Sequence, residues 1–186
     1  MTAVRPLPAA AALILLAAAW SPLPEALLPP FADHMARHMA LVAVIAPLAV
    51  LAVPDLVRRW EVPVLAGAAL EFLVVWGWHA PALYQRADAS APWLIAEQGS
   101  FLIAGLLVWA GAFGARSGLA GAGALLLTSM HMTLLGALFV LARTDICGAG
   151  LGNQQLGGLI MLGVGTPVYL LGGLWLTGRA LKGAEA

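Results

Sequence analysis

Asp33–Pro54 reads DHMARHMALVAVIAPLAVLAVP, and the reading of that stretch decides the fold. From Ala40 to Val53 it carries no charge, and His34 to Val53 is 20 residues. A helix of that length, at ~1.5 Å per residue, covers about 30 Å, the thickness of a bilayer's hydrocarbon core. The front of the stretch is polar. His34 and His38 stand four residues apart, so both imidazoles fall on one helix face. Met35 and Met39 repeat that spacing one residue further round the helix. Asp33 is the expected N-cap, and Pro47 is expected to kink the helix. The pattern predicts a membrane helix that opens with two nitrogen ligands flanked by two soft sulfurs.

Composition agrees. Of the 186 residues, 62% are hydrophobic and 10% are charged, against about 25% charged in an ordinary soluble domain. The expectation is an all-α, polytopic membrane bundle forming a single transmembrane domain over residues 1–186. Nine basic and nine acidic residues balance, so net charge points to no partner, and no basic footprint for nucleic acid is present. The lone cysteine, Cys147, excludes an internal disulfide and any CxxC motif.

Around the opening stretch, apolar runs predict about six spans, at residues 7–20, 34–53, 62–79, 93–113, 119–141 and 154–177. The first lies behind Arg5 and reads either as a retained short helix, the favoured reading, or as a cleaved signal peptide. The Pro-rich segment up to Pro30, the link carrying Arg58-Arg59, and the stretches Ala80–Pro92 and Ala142–Gly152 read as connections. Six spans place both termini on one side. Arg5, Arg58, Arg59, Arg116, Arg179 and Lys182 then share that side, against Arg37, Arg86 and Arg143 opposite. That bias assigns both termini to the cytoplasm.

On this layout the unusual residues fall into two tiers. The upper, at the non-cytoplasmic face, is His34, His38 and His79 with Met35 or Met39, and Glu97 beside them. The lower holds His131, ~15 Å down its helix, with Glu71, Met161 and Met130 or Met132. Imidazole suits copper, zinc and iron, and thioether favours Cu(I). A histidine in hydrocarbon is expensive and tends to be functional. Each residue also has a plainer reading. His34 and His38 are then interfacial polar residues, and His79 joins an aromatic belt with Trp76 and Trp78. His131 then hydrogen-bonds a neighbouring helix or pairs with Glu71, and Glu71 is a protonated structural acid. Most methionines are then core packing, and Asn153–Gln155 form a helix start with interhelical hydrogen bonds.

Three segments in order, HMARHMALVAVIAPLAVLAVP, WHAPALY and NQQLGGLIM, resemble the CtaG-type multi-spanning cytochrome c oxidase assembly factors. That family's pattern is HMxxHM before an apolar, Pro-bearing helix, a WHxPxLY helix end and a DQQxGGxxMW helix start. The chain departs from it at Asn153, where an acid is usual, at Leu162, where Trp is usual, and at Glu97-Gln98, where many members have Glu-His. The resemblance implies a bacterial inner-membrane, multi-pass protein that acts as a chaperone without catalytic turnover. Its expected work is to help deliver copper to a haem-copper oxidase subunit in the lipid bilayer. The expected cargo is Cu(I). The expected metal residues are His34, His38, His79, Met35, Met39, His131 and Met161, with Glu71, Glu97, Gln154 and Gln155 as a second shell. Two other readings stay open. One is a haem-binding membrane redox protein with paired histidines such as His38 and His79. The other is a proton or ion pathway through Glu71 and His131.

Overall fold

The computed structural model describes residues 4–184, so residues 1–3 and 185–186 of the predicted 1–186 domain lie outside the described residues. Among the described residues the chain is helical and contains no strand. The helices are α1 (Pro6–Ala19), α2 (Leu23–Leu27), α3 (Pro30–Ala52), α4 (Pro54–Trp60), α5 (Val64–Trp78), α6 (Pro81–Ala89), α7 (Ala91–Gly114), α8 (Gly118–Leu141) and α9 (Leu151–Lys182). Proline is the punctuation. It stands in the first turn of α1, α2, α3, α4, α6 and α7, where its missing N–H would have had no helical partner.

Four helices, α3, α7, α8 and α9, are long and apolar enough to cross a membrane. The pair α4 and α5, bent by 96° at their junction, makes a fifth if it is one broken span. Helix α1 is apolar but has only 14 residues, fewer than the roughly 20 of a full crossing.

The opening helix starts earlier than its sequence suggests. Pro30 begins α3, and Asp33 is not its N-cap. The Asp33 carboxylate instead accepts a hydrogen bond from Arg37 Nε at 2.9 Å, one turn on. The fixed φ of proline, pre-set for a helix, overrides the capping preference of aspartate. Three segments that read as connections also carry the short helices α2, α4 and α6.

The packing closes a ring: α3 on α9, α9 on α8, α8 on α5, α5 on α7, and α7 back on α3, with α1 outside against α3. Helices α3 and α9 approach closely because α9 offers glycines. A Cβ on Gly157 would stand 2.5 Å from Phe31 Cδ1 and 2.9 Å from Met35 Cγ, and one on Gly165 would stand 3.0 Å from Met39 Sδ. Small residues at helix contacts are the usual means of tight packing in a membrane, where apolar burial between helices drives little.

Both α3 and α9 contain a π turn, at Ala40–Ile45 and Met161–Gly165, immediately before Pro47 and Pro167. A proline inside a helix lacks an N–H and crowds the carbonyl four residues back, and the wider π turn accommodates it. The cost is a stranded carbonyl. The Ala46 N–H reaches Leu41 O, so Val42 O has only proline where a π-type donor should be. Trp109 Nε1 (2.9 Å) and the Tyr169 hydroxyl (3.1 Å) donate to Val42 O instead. A buried carbonyl without a partner would be costly, and two neighbouring helices remove that cost.

Candidate functional site

The upper histidines meet inside one end of the ring. His38, fully buried on α3, lies flat against Phe101 of α7, with ring centroids 3.9 Å apart and planes 14° apart. His79 caps the C-terminus of α5. Its Nδ1 stands 2.6 Å from Val75 O. Since a carbonyl only accepts, Nδ1 carries the proton, and the Nε2 lone pair faces the cluster. Met35 Sδ lies 3.4 Å from that Nε2. The His79 ring is 5.2 Å from His38 and 6.2 Å from His34, centroid to centroid. Tyr84 of α6 meets His34 edge-on at 5.3 Å.

Glu97 of α7 adds a buried carboxyl. Its Oε1 is 3.4 Å from His34 Nε2, close enough for electrostatic contact but too poorly aligned for a hydrogen bond. Gln98 Nε2 donates to Glu97 Oε2 at 3.3 Å. Both ring nitrogens of His38, Glu97 Oε1 and Gln98 Oε1 are buried without a hydrogen-bond partner. Most buried polar atoms find one, so this concentration of unpaired groups marks the cluster. Above it opens a pocket of about 330 Å³, lined by Glu25, Asp33, Asp88, His34, Arg37 and Gln98 among others.

The donors fit a soft ion in kind: imidazole nitrogens from two helices, one with its proton held on the far nitrogen, beside a thioether. As the side chains stand, no three His, Cys, Asp or Glu residues among the described residues are grouped closely enough to hold one ion.

The lower tier does not gather into a second cluster. Glu71, fully buried on α5, makes a short hydrogen-bond contact with the Tyr169 hydroxyl of α9, whose single proton is shared between Glu71 and Val42 O. No hydrogen bond or ion pair joins it to His131 among the described residues. His131 meets Phe72 edge-on at 5.4 Å, and both its nitrogens lack a partner. It lines an apolar groove between α5 and α8 with Ala68, Phe72, Leu127 and Leu134. Met161 is fully buried in the α9 π turn, Met132 is buried on α8, and Met130 is exposed. Met39 Sδ and Met132 Cβ lie 3.0 and 3.8 Å from the point where a Gly165 Cβ would stand, so these two methionines are neighbours at that glycine.

Gln154 and Gln155 face away from the histidines. Gln154 Oε1 accepts from the N–H groups of Ile146 (2.7 Å) and Cys147 (3.3 Å), and its Nε2 donates to Phe139 O at 3.3 Å. Gln155 Nε2 donates to Val140 O at 3.3 Å, and Asn153 Oδ1 accepts from Ala32 N–H at 3.0 Å. These amides tie the α8–α9 connection and the start of α3 to α9. In the same connection Asp145 accepts from the N–H groups of Gly150, Gly148 and Ala149. Those bonds, Gly150's first, hold its carboxyl below the ordinary value. Burial, with the Asp145 charge, pushes the Cys147 thiol up to about 11, so it is not a reactive thiolate. Burial also raises the Tyr84 phenol, with Asp88 adding to the shift.

Sequence reasoning passed over Tyr169, Tyr84, Trp109 and Phe101. A signal existed for Tyr169: a hydroxyl in the middle of the apolar run GTPVYLLGG needs a buried partner. Phe101 carried none, because any apolar residue suits that run.

A family model described as the cytochrome c oxidase caa3 assembly factor (Caa3_CtaG) matches residues 62–182, well over half of the chain. The chain belongs to that family. No curated protein and no solved structure matches it. The caa3 assembly factor match covers His79, Glu97, His131 and Met161, whereas α3, with His34 and His38, precedes it. The family is defined by an oxidase that is assembled, not by a reaction that is catalysed. The several long apolar helices make this caa3 assembly factor a multi-pass membrane protein, consistent with a bacterial inner membrane.

Proposed function

We propose that this assembly factor takes up Cu(I) at its non-cytoplasmic face and passes it to a haem-copper oxidase subunit within the membrane. The observation that carries this reading is the meeting of His34, His38, His79 and Met35 around buried nitrogens that bond to nothing else. In the bilayer six crossings follow if the short helices α1 and α5 join the four long ones, α1 with its 14 residues spanning only part of the hydrocarbon core, which leaves α4 and both termini on the cytoplasmic side. The cationic bias of six against three places the histidines outside.

Glu25 and Asp88 line the pocket above His34 beside the paired Asp33 and Arg37, and the net negative charge draws a cation towards it. Small adjustments of His34 and His38 bring two imidazoles and the Met35 thioether onto one ion. Such mixed nitrogen–sulfur coordination suits Cu(I). A carrier also needs a site that releases its cargo, which a loosely gathered set supplies better than a closed one. Below, Met39 and Met132 at Gly165 offer further thioethers, and Met161 and His131 lie on the way to the surface facing a partner. Glu71 and Glu97 tune the surroundings rather than bind the ion.

The test is Cu(I) stoichiometry of the purified protein in detergent, for the native chain and for His34→Ala/His38→Ala. The double variant is expected to lose its bound copper while keeping its helical circular dichroism. Unchanged stoichiometry, or a Soret band in the native protein, overturns the copper reading.

A further inference from the structure

The end of the bundle opposite the histidines carries a second site. Arg5, just before α1, Arg58 of α4 and Arg179 of α9 line one cavity of about 380 Å³. Val50, Leu51, Val57, Phe113 and Trp175 complete its wall. Three cations from three separate helices thus sit over an apolar and aromatic surface. None of these residues is a proposed copper ligand; the three arginines enter that reading only through the charge bias that orients the chain.

Contacts around the cavity position the chain that carries these exposed cations. The Arg5 backbone N–H donates to Ala52 O at 2.9 Å, fixing the start of α1 to the end of α3. The Arg179 guanidinium lies 4.9 Å above the Trp175 ring, and Trp175 meets Phe113 edge-on at 5.7 Å. Arg58 is paired with Asp55. Arg5 and Arg179 have no carboxylate within ion-pairing distance among the described residues. The cavity therefore has unbalanced positive charge above and an apolar lining beneath.

We infer that this cavity binds the phosphate headgroup of an anionic membrane phospholipid, with its acyl chains along the apolar wall. Guanidinium groups suit phosphate oxygens through paired N–H donors. Basic pockets between membrane helices on the cytoplasmic side are suited to such headgroups. The apolar lining distinguishes a lipid from a free phosphate ion, which has nothing to place there.

The full chain in detergent is titrated with phosphatidylglycerol, phosphatidylcholine and inorganic phosphate, with bound lipid counted by native mass spectrometry. Phosphatidylglycerol is expected to bind most tightly. Arg5→Gln and Arg179→Gln are each expected to weaken it about fivefold. Arg179→Lys, which keeps the charge but not the paired donors or the stacking on Trp175, is expected to lose less affinity than Arg179→Gln, and equal helical circular dichroism of the two separates lost binding from lost folding. Arg59→Gln, exposed on α4 and outside the cavity lining, leaves binding unchanged. Equal binding of phosphatidylcholine overturns the site. An Arg59→Gln effect as large as that of Arg179→Gln reduces it to general surface charge. Inorganic phosphate binding as tightly as the lipid makes it a phosphate site and overturns the lipid assignment.

Discussion

Two groups of buried polar residues lie in this bundle, and they differ in how many of their bonds are made. In one, Glu71, Tyr169, Trp109 and the Val42 carbonyl bond to one another across α5, α9, α7 and α3, and Glu71 Oε2 alone among them is left unpaired. At the histidine end, His38 has no hydrogen bond, and Glu97 and Gln98 each keep an oxygen unpaired. The first group is a joint whose members hold helices together. The second is a set of donors that the fold gathers and leaves free. In a low-dielectric interior an unpaired polar atom is expensive, so the contrast distinguishes the two groups where residue type does not. Both groups contain ionisable side chains, and composition alone rates them alike.

Replacing members of each group breaks or sharpens that contrast. The largest effect is expected from Trp109→Ala, which removes a buried indole stacked 5.1 Å from Tyr169 and one of the two donors to Val42 O. A loss of about 3–5 kcal/mol is expected, read by denaturant unfolding in detergent. A loss below about 1 kcal/mol would mean that the joint does not hold the helices. Tyr169→Phe keeps the ring but removes the one hydroxyl that touches both Glu71 and Val42 O, and about 1–3 kcal/mol is expected by the same measurement.

His38→Leu, at the other end, is similar in size and breaks no hydrogen bond. Its stability is expected to change by less than about 1.5 kcal/mol in either direction, while Cu(I) binding falls. A large destabilisation with copper binding intact would reverse the contrast. The smallest effect belongs to the α8–α9 connection. The Asp145 carboxyl is held below its ordinary value, so its contribution is complete above about pH 4. It is lost as pH falls through the lowered folded value. Protection of the Gly148–Gly150 amides against hydrogen exchange, corrected for intrinsic rates, is expected to follow that course. In Asp145→Asn it is expected to be low throughout.

The helices were legible because their signals are local. Long apolar runs, broken by proline, show where each long helix lies to within about five residues, while the short helices α2, α4 and α6 read as connections. Two local signals competed at the start of α3, and proline's fixed φ overrode aspartate's capping preference. The candidate site was legible only in part. The four-residue spacing puts His34 and His38 on one face, and WHAPALY puts His79 at a helix end. No local signal says which aromatic ring packs on His38, or that Tyr169 takes Glu71 away from His131. Gln154 and Gln155 read either as interhelical hydrogen-bond formers or as ligand supports; their bonds go to the backbone of α8 and the α8–α9 connection, which lies beside them only once α8 and α9 have packed.

Sequence alone determined that this chain is a helical membrane bundle of the assembly-factor type, because hydropathy, proline placement and short motifs act within a few turns of helix. Tertiary structure alone decided which polar groups are bonded and which are free. Pairing depends on the order in which α3, α9, α8, α5 and α7 close their ring and on the glycines that bring α3 against α9. A hydrogen bond is made or missed over a few tenths of an ångström, a precision that residue spacing along one chain does not carry across four helices.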